Sequence, residues 1–269
     1  MNRYAAMFDR LGGQGALGAF LMLGDPDVTT SARHLDALVA GGADMVEVGI
    51  PFSDPVADGP VVQAAGRRAL IGGVTAGDCF GLIAGFRERH PSVPVGILTY
   101  ANLVVAPGRK AFVRRAAEAG ADSLLVADVP ALEAEPWAAD MMEAGLAPVL
   151  IAAPNTPAGA LHTIARLSRG YTYCVSRPGI TGTHRAGEFD SALVQKLRDL
   201  DAPPPVFGFG ISTPEHVRSA LAAGASGVIS GSAIVDLISR HEDPADFVRS
   251  LKEATIHGTT RCRNELNRL

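Results

Sequence analysis

Two carboxylates with unlike surroundings are the strongest candidates for chemistry in this sequence. Glu47 is the one charged residue of the apolar segment 45–50, and Asp58 follows in a loop that also contains Asp54 and several prolines. An unpaired buried carboxylate is costly, so Glu47 must be paired with a cation, protonated, or used in a reaction. A dry carboxylate and a wetter one can divide the roles of acid and base. The simpler alternatives are a structural ion pair for Glu47 and turn or capping roles for the aspartates.

Two glycine-bearing turns later in the chain indicate a site for an anion. Gly208 and Gly210 end the seventh of eight apolar segments, while Gly231 and Ser232 follow the eighth, where a short helix begins. Glycine allows the backbone to approach a ligand closely, and the free N–H groups at a helix N-terminus attract negative charge. We therefore expect a phosphate group between these two turns. Close backbone packing would explain the glycines without a ligand.

A third candidate is the alternating segment 171–176. Tyr171, Tyr173 and Val175 should share one face of a strand, because successive side chains of a strand point to opposite faces. One of the two tyrosine hydroxyls could then donate to a substrate or hold Glu47. A tyrosine in a strand is more often a core residue than a catalyst, so packing is the simpler alternative.

The loop that follows this segment, residues 177–187, contains three glycines and several charged residues. A long and flexible loop after a strand predicts a mobile lid over the site, with residues 181–187 disordered in the absence of ligand. A solvated surface loop without such a role is the alternative.

Composition excludes several classes of protein. Apolar residues make up 47% of the 269 residues and charged residues 19%, which excludes a disordered chain. A net charge of −4 without a basic tract makes nucleic acid an unsuitable partner. Three cysteines without CxxC spacing argue against a disulfide framework and against a metal site. We expect a cytoplasmic protein without a membrane partner, because neither a signal peptide nor a membrane-spanning apolar run is evident.

Eight short apolar segments alternate with helical patterns along the chain. Their continuous apolar character is typical of parallel strands that are covered on both faces. The pattern predicts an α/β fold: a single (β/α)8 TIM barrel over residues 1–269, with an extra N-terminal helix and a short helix after strand 8. An open doubly wound sheet is the alternative, but its usual G-x-G-x-x-G motif is absent after the first segment. The eight segments are residues 16–23, 45–50, 93–100, 123–128, 147–152, 171–176, 206–210 and 227–230.

The motifs around these candidates resemble those of the tryptophan synthase α subunit family over essentially the full chain. The most specific is the uninterrupted stretch 47–60, EVGIPFSDPVADGP. The resemblance implies a lyase that cleaves indole-3-glycerol phosphate by retro-aldol chemistry to indole and glyceraldehyde 3-phosphate, without a metal or an organic cofactor. Shorter matching motifs are LGDP at 23–26, YAN at 100–102, VADVP at 126–130, GYTY at 170–173, GFGIS at 208–212 and ISGSA at 229–233.

The same resemblance implies roles for individual residues. Glu47 and Asp58 correspond to the catalytic carboxylates, with Tyr173 beside them. In the family, the loop of Asp54 and the lid communicate with a β subunit in an α2β2 heterotetramer, and indole passes to that subunit through a tunnel. The substrate-binding residues implied are Phe20, Leu98, Tyr100, Leu125, Thr181 and Phe209, and the phosphate-binding residues implied are Gly182, Gly210, Gly231 and Ser232.

The sequence departs from the usual family pattern at Gly18-Ala19, at Ala152-Ala153 and at Pro178, and none of these changes removes a candidate catalytic group. Pro178 is expected to stiffen the entrance to the lid. Three other functions stay open: a freestanding lyase that releases indole, a subunit that binds phosphate without catalysis, and another phosphate-binding barrel such as a sugar-phosphate isomerase.

Overall fold

In the part of the chain that the structure describes, nine parallel strands form a curled central sheet. The computed structural model describes residues 2–176 and 189–257. The strands are hydrogen-bonded in the order β5-β4-β3-β2-β1-β9-β8-β7-β6, which confirms the predicted α/β barrel class. In chain order they are β1 (Ala16–Met22), β2 (Met45–Gly49), β3 (Val95–Thr99), β4 (Ser123–Val126), β5 (Ala147–Pro148), β6 (Ile151–Ala152), β7 (Thr172–Cys174), β8 (Pro205–Phe207) and β9 (Gly227–Ser230).

The fifth predicted strand is divided into β5 and β6, which explains the count of nine rather than eight. β5 pairs with β4 and β6 pairs with β7, so the two ends of the sheet are only two residues apart in the chain. The two residues between β5 and β6 bond to different neighbours, the first to β4 and the second to β7. The Val149 N–H donates to Leu124 O, and Leu150 O accepts from the Tyr173 N–H. Pro148 has no N–H to donate, which shortens the ladder at this point.

Twelve α-helices in the described residues cover the sheet and connect its strands. The predicted N-terminal helix and the short helix after the last strand are both present. α2 and α4 begin directly after Asp27 and Thr75, whose side chains cap the first turns of these helices. The helices are α1 (Arg3–Leu11), α2 (Val28–Ala40), α3 (Pro60–Ile71), α4 (Ala76–Arg89), α5 (Ala101–Val105), α6 (Arg109–Glu118), α7 (Glu135–Glu143), α8 (Ala158–Leu167), α9 (Ser191–Asp199), α10 (Pro214–Ala222), α11 (Ser232–Ser239) and α12 (Ala245–His257), with a 3₁₀ helix at Ala131–Glu133.

Within residues 2–176 and 189–257, no single helix has the length and apolar character needed to cross a membrane. Among the helices that the structure describes, only α3 and α4 taken together meet that requirement, and these two helices are bent by 105° at the break between them.

The sheet separates two apolar layers. One layer fills the barrel interior, and the other lies between the strands and the surrounding helices. The alternation predicted for segment 171–176 is confirmed, because Tyr171 and Tyr173 belong to the interior layer and Cys174 to the outer one. Val46 and Val48 also belong to the outer layer, so Glu47 between them faces the interior.

The N-terminal end of the barrel is closed by α1. Tyr4 and Met7 of this helix are buried. The Tyr4 hydroxyl shares a 2.7 Å hydrogen bond with Ser123 Oγ at the start of β4, and the Tyr4 ring lies 5.3 Å from that of Tyr171. Because side chains fill this end, the accessible mouth is at the C-terminal ends of the strands, where the candidate residues lie.

Candidate active site

Glu47 lies in the middle of β2, between Phe20 of β1 and Gly96 of β3 in the register of the sheet. The residue is only 3% exposed. Burial raises the pKa of the Glu47 carboxyl to about 8, and the negative charge of Asp58 adds to this rise. No cation among the described residues contributes to the shift. The structural ion pair considered for Glu47 is therefore absent from the described part of the chain, and its carboxyl group is mostly protonated at neutral pH.

Tyr171 is the tyrosine that contacts this carboxyl. Its hydroxyl donates a 3.0 Å hydrogen bond to Glu47 Oε1, which partly opposes the rise of the Glu47 pKa. Tyr173, two residues further along, lines the cavity beside the carboxylates instead. Burial raises the pKa of both tyrosines well above the usual value, so both hydroxyls stay protonated and able to donate.

Asp58 is brought to the barrel mouth by the loop between β2 and α3. The loop is held by a 3.1 Å hydrogen bond from the Asp58 N–H to Pro55 O, and by one of 2.8 Å from Gln63 Nε2 to Asp58 O. The Tyr100 hydroxyl accepts from the Ala57 N–H at 3.3 Å and bonds with the Asp58 carboxylate. Burial raises the pKa of Asp58 to about 6, although the Tyr100 bond lowers it. Asp58 is therefore mostly ionised at neutral pH.

Both carboxylates line one cavity. Glu47 is 3% exposed and Asp58 9%, so the pair consists of a drier and a slightly wetter group, as the sequence predicted. An acid and an anion thus face one space that has aromatic and aliphatic walls. The lining residues are Phe20, Glu47, Asp58, Val62, Leu98, Tyr173, Gly208, Phe209, Ile229, Gly231 and Ser232.

The start of α11 reaches the same cavity. Gly231 is the N-cap of this helix, and no side chain caps its first turn. Both Gly231 and Ser232 line the cavity, so backbone N–H groups that have no partner within the helix lie next to it. The Ser230 hydroxyl donates 2.8 Å to Ile211 O, which joins this turn to the turn after β8. Gly210 in that second turn has a φ of +81°, a left-handed conformation that favours glycine.

Most of the predicted site residues meet at this cavity, but three of those that the structure describes do not line it. Tyr100 is next to Asp58 but is not part of the cavity wall, and its ring stacks on Phe52 with centroids 5.5 Å apart. Leu125 belongs to the interior apolar layer, and Gly210 lies just after the lining residue Phe209. Thr181 and Gly182, together with the rest of the predicted lid, lie outside the described residues.

Two lining residues, Val62 and Ile229, were not predicted, and a third, Gly208, was predicted only as part of the turn that would bind an anion. Val62 comes from the first turn of α3 and Ile229 from β9, and no motif distinguishes such aliphatic residues from core positions. Gly208 belongs to a recognised motif, but its role depends on Tyr173. A side-chain carbon at position 208 would lie 1.9 Å from Cζ of that ring, so only glycine leaves room for the tyrosine.

Sequence and structure comparisons with known proteins identify the family of this chain. The sequence pattern of the tryptophan synthase alpha chain matches residues 9–261. The chain belongs to this family. The tryptophan synthase alpha chain of Shewanella amazonensis is 50% identical over 266 residues, which cover 95% of this chain and 100% of the relative. A tryptophan synthase structure from Mycobacterium tuberculosis shares 31% identity with a TM-score of 0.86, covering 94% of this chain and 98% of the other. A tryptophan synthase complex from Pyrococcus furiosus shares 34% identity with a TM-score of 0.80, covering 91% and 98%.

Membership in the tryptophan synthase alpha chain family assigns the alpha reaction of tryptophan biosynthesis to this chain. That reaction is a carbon–carbon lyase activity, so the sugar-phosphate isomerase considered above is set aside. The residues that the structure describes contain no group of three or more His, Cys, Asp or Glu side chains that could hold a metal ion.

Proposed function

We propose that the chain cleaves indole-3-glycerol phosphate to indole and glyceraldehyde 3-phosphate, with Glu47 as the proton carrier. One observation supports this most directly. A carboxyl group with a pKa of about 8 lines the same cavity as the uncapped start of α11. An acid for the reacting carbon and an anchor for the distant phosphate thus share one space.

The first step is proton transfer to carbon. The bond between indole C3 and the glyceryl chain does not break easily, because its cleavage would expel a poor carbanion. Glu47, protonated at neutral pH, donates its proton to C3 and leaves a cationic indolenine that can accept the bonding electrons. A positioned acid–base group typically accelerates a reaction by about 10²–10⁴.

Asp58 stabilises the charge that develops in this step. Its pKa of about 6 makes it an anion at neutral pH. The carboxylate accepts the hydrogen bond of the indole N–H, where positive charge accumulates after protonation of C3. A fixed anion in a cavity with apolar walls is more effective for this purpose than water would be.

The second step is a retro-aldol cleavage that returns Glu47 to its starting state. Glu47, now a carboxylate, removes the proton from the hydroxyl on the glyceryl carbon attached to the ring. The carbon–oxygen double bond of the aldehyde forms as the carbon–carbon bond breaks, and the electron pair restores the aromatic indole. Atoms balance, because the proton given to C3 stays on indole and the hydroxyl proton remains on Glu47.

Binding is divided between the apolar walls and the glycine turns. Phe20, Leu98 and Phe209 offer flat and aliphatic surfaces for indole, with Leu125 packed in the same interior layer. We assign the phosphate to Gly210, Gly231 and Ser232. The family resemblance adds Thr181 and Gly182 to these sites.

We also propose a β subunit as the partner, in an α2β2 assembly that receives indole from this chain. Exposed aliphatic side chains follow three neighbouring strands at the mouth: Val56 after β2, Val105 after β3 and Leu132 after β4, with 70%, 48% and 74% exposure. Exposed apolar residues grouped at one end of a protein favour a protein partner. Val56→Asp and Leu132→Asp should therefore weaken β-subunit binding in a pull-down, while the chain alone keeps its activity.

The lyase proposal is tested by indole release from indole-3-glycerol phosphate, with the purified chain alone and with a β subunit. Glu47→Gln should lower kcat at least about 10²-fold and leave substrate affinity nearly unchanged. Glu88→Gln, on the exposed side of α4, is the matched control. Unchanged turnover in Glu47→Gln would refute the proton carrier. Failure of the unmodified chain to form indole under either condition would refute the substrate, and high turnover without a β subunit would favour a freestanding lyase.

A further inference from the structure

A second depression lies on the outer surface, between the first turn of α4, α5 and α6, and we call it the α4–α6 groove. Its volume is about 530 Å³, and its walls include Ala76, Phe80, Leu103, Pro107, Phe112 and Arg115. The Phe80 and Phe112 rings are in edge contact, with centroids 5.4 Å apart. Both belong to the outer apolar layer, whereas the residues around Glu47 belong to the interior. The groove is therefore separate from the candidate active site.

Arg115 supplies a positive charge at the edge of this apolar surface. Its guanidinium carbon lies 4.8 Å from the centroid of the Phe80 ring. A cation–π contact of this kind does not use up the N–H donors of a guanidinium group, which can still bond to a carboxylate. None of the ion pairs formed between described residues includes Arg115, whereas its neighbour Arg114 lies 3.9 Å from Glu118.

The first turn of α4 lies beside Arg115. Arg115 Nη2 lies so close to Gly77 that a side-chain carbon there would come within 3.3 Å of it. The carboxylate in this turn, Asp78, is already engaged by the Thr75 N–H at 2.9 Å and the Thr75 hydroxyl at 2.6 Å. Asp78 therefore does not neutralise Arg115, and the guanidinium group can pair with a carboxylate from a ligand.

We propose that the α4–α6 groove binds a small amphipathic monoanion, an aromatic carboxylate whose ring lies on Phe80, Phe112 and Leu103 while its carboxylate pairs with Arg115. A planar guanidinium group matches a carboxylate through two parallel hydrogen bonds. The apolar floor disfavours small, strongly hydrated anions such as phosphate, since it offers them no polar contacts. The volume lies within the range of about 300–1,000 Å³ that small-molecule pockets occupy.

The test is calorimetric titration of the full chain with 4-phenylbutyrate and with its uncharged counterpart, 4-phenylbutan-1-ol. Phenylbutyrate should bind, and the alcohol should bind at least about tenfold more weakly, because it lacks the ion pair with Arg115. Arg115→Gln should reduce the affinity for phenylbutyrate to that for the alcohol. Arg114→Gln, which removes the neighbouring charge, should leave both affinities unchanged.

The place of binding is tested by Ala111→Trp, which puts a bulky side chain into the groove from the exposed side of α6. It should abolish the binding of both probes. Arg115→Lys keeps the positive charge but loses the planar guanidinium group, so its affinity for phenylbutyrate should lie between those of the unmodified chain and Arg115→Gln. Far-ultraviolet circular dichroism should show that each variant is folded. The proposal is overturned if phenylbutyrate fails to bind at millimolar concentration, if folded Arg115→Gln binds it as tightly as the unmodified chain, or if Ala111→Trp still binds it.

Discussion

The hydroxyl of Tyr171 and the carboxyl of Glu47 are joined across the barrel by a 3.0 Å hydrogen bond. Glu47 lies in β2 and Tyr171 directly precedes β7, four strands further along the sheet. The two residues are 124 positions apart in the chain and meet because the sheet curls. This bond favours the ionised form of Glu47, whereas burial favours the neutral form, and burial has the larger effect.

Removal of the Tyr171 hydroxyl should move the pKa of Glu47 further upward. In Tyr171→Phe, burial acts without the opposing hydrogen bond. The basic limb of the kcat profile should therefore shift to higher pH. Tyr4→Phe is the control, because the hydroxyl of Tyr4 is also buried but is bonded to Ser123. A basic limb that stays in place in Tyr171→Phe, or that moves equally in both variants, would contradict this account.

The pH dependence of turnover should be bell-shaped. The reaction as proposed needs Asp58 ionised and Glu47 protonated, and the pKa values of these groups are about 6 and about 8. Activity should rise as pH increases through the lower value and fall through the higher one. Since the two carboxyls influence each other, the two limbs report the pair rather than each residue alone. Steady-state rates measured between pH 5 and 9 check this, and an activity that keeps increasing above pH 8 would argue against Glu47 as the acid.

Glu47 should also make the stability of the fold depend on pH. Its pKa is about 8 in the folded state against an ordinary value of 4.5, so the folded state binds the extra proton between these values. The stability that this proton contributes is complete below pH 4.5 and is lost as pH rises to 8, by an amount on the order of 5 kcal/mol. Glu47→Gln has no proton to lose. In urea unfolding it should be more stable than the unmodified chain at pH 9, and the difference should shrink at pH 5.

For that measurement, Glu88→Gln is again the control, because its side chain is exposed on α4. Its stability should follow that of the unmodified chain at both pH values. Equal pH dependence in Glu47→Gln and in the unmodified chain would mean that Glu47 is not buried as a neutral acid.

Gly208→Ala should damage the site through Tyr173. The added methyl carbon would lie 1.9 Å from the Tyr173 ring, so either the ring or the turn after β8 must move. Overpacking of this kind typically costs about 1–3 kcal/mol. We expect a lower melting temperature and a loss of turnover. Gly159→Ala is the control, since no atom lies within 4 Å of a side-chain carbon placed there and the residue is in α8. Normal turnover in Gly208→Ala would show that the position of the Tyr173 ring does not matter.

The amino-acid sequence by itself determined the class of fold and the main candidates for the site. Apolar segments in parallel strands are continuous, so their order and their loops could be recognised without coordinates. An acid inside such a segment, as at Glu47, is too costly to be incidental. Gly231 likewise indicated the start of a helix, because the backbone conformation of a turn depends mainly on the residues of that turn.

Only the tertiary structure decided what each candidate faces. Alternation placed Tyr171 and Tyr173 on one face, but the curvature of the sheet determined that Tyr171 reaches Glu47 and Tyr173 lines the cavity. The role of Tyr100 behind Asp58 and the break between β5 and β6 likewise depend on neighbours far away in the chain. The physical reason is that contacts across a barrel are fixed by register and closure, whereas a local pattern specifies only which side of its own strand a residue occupies.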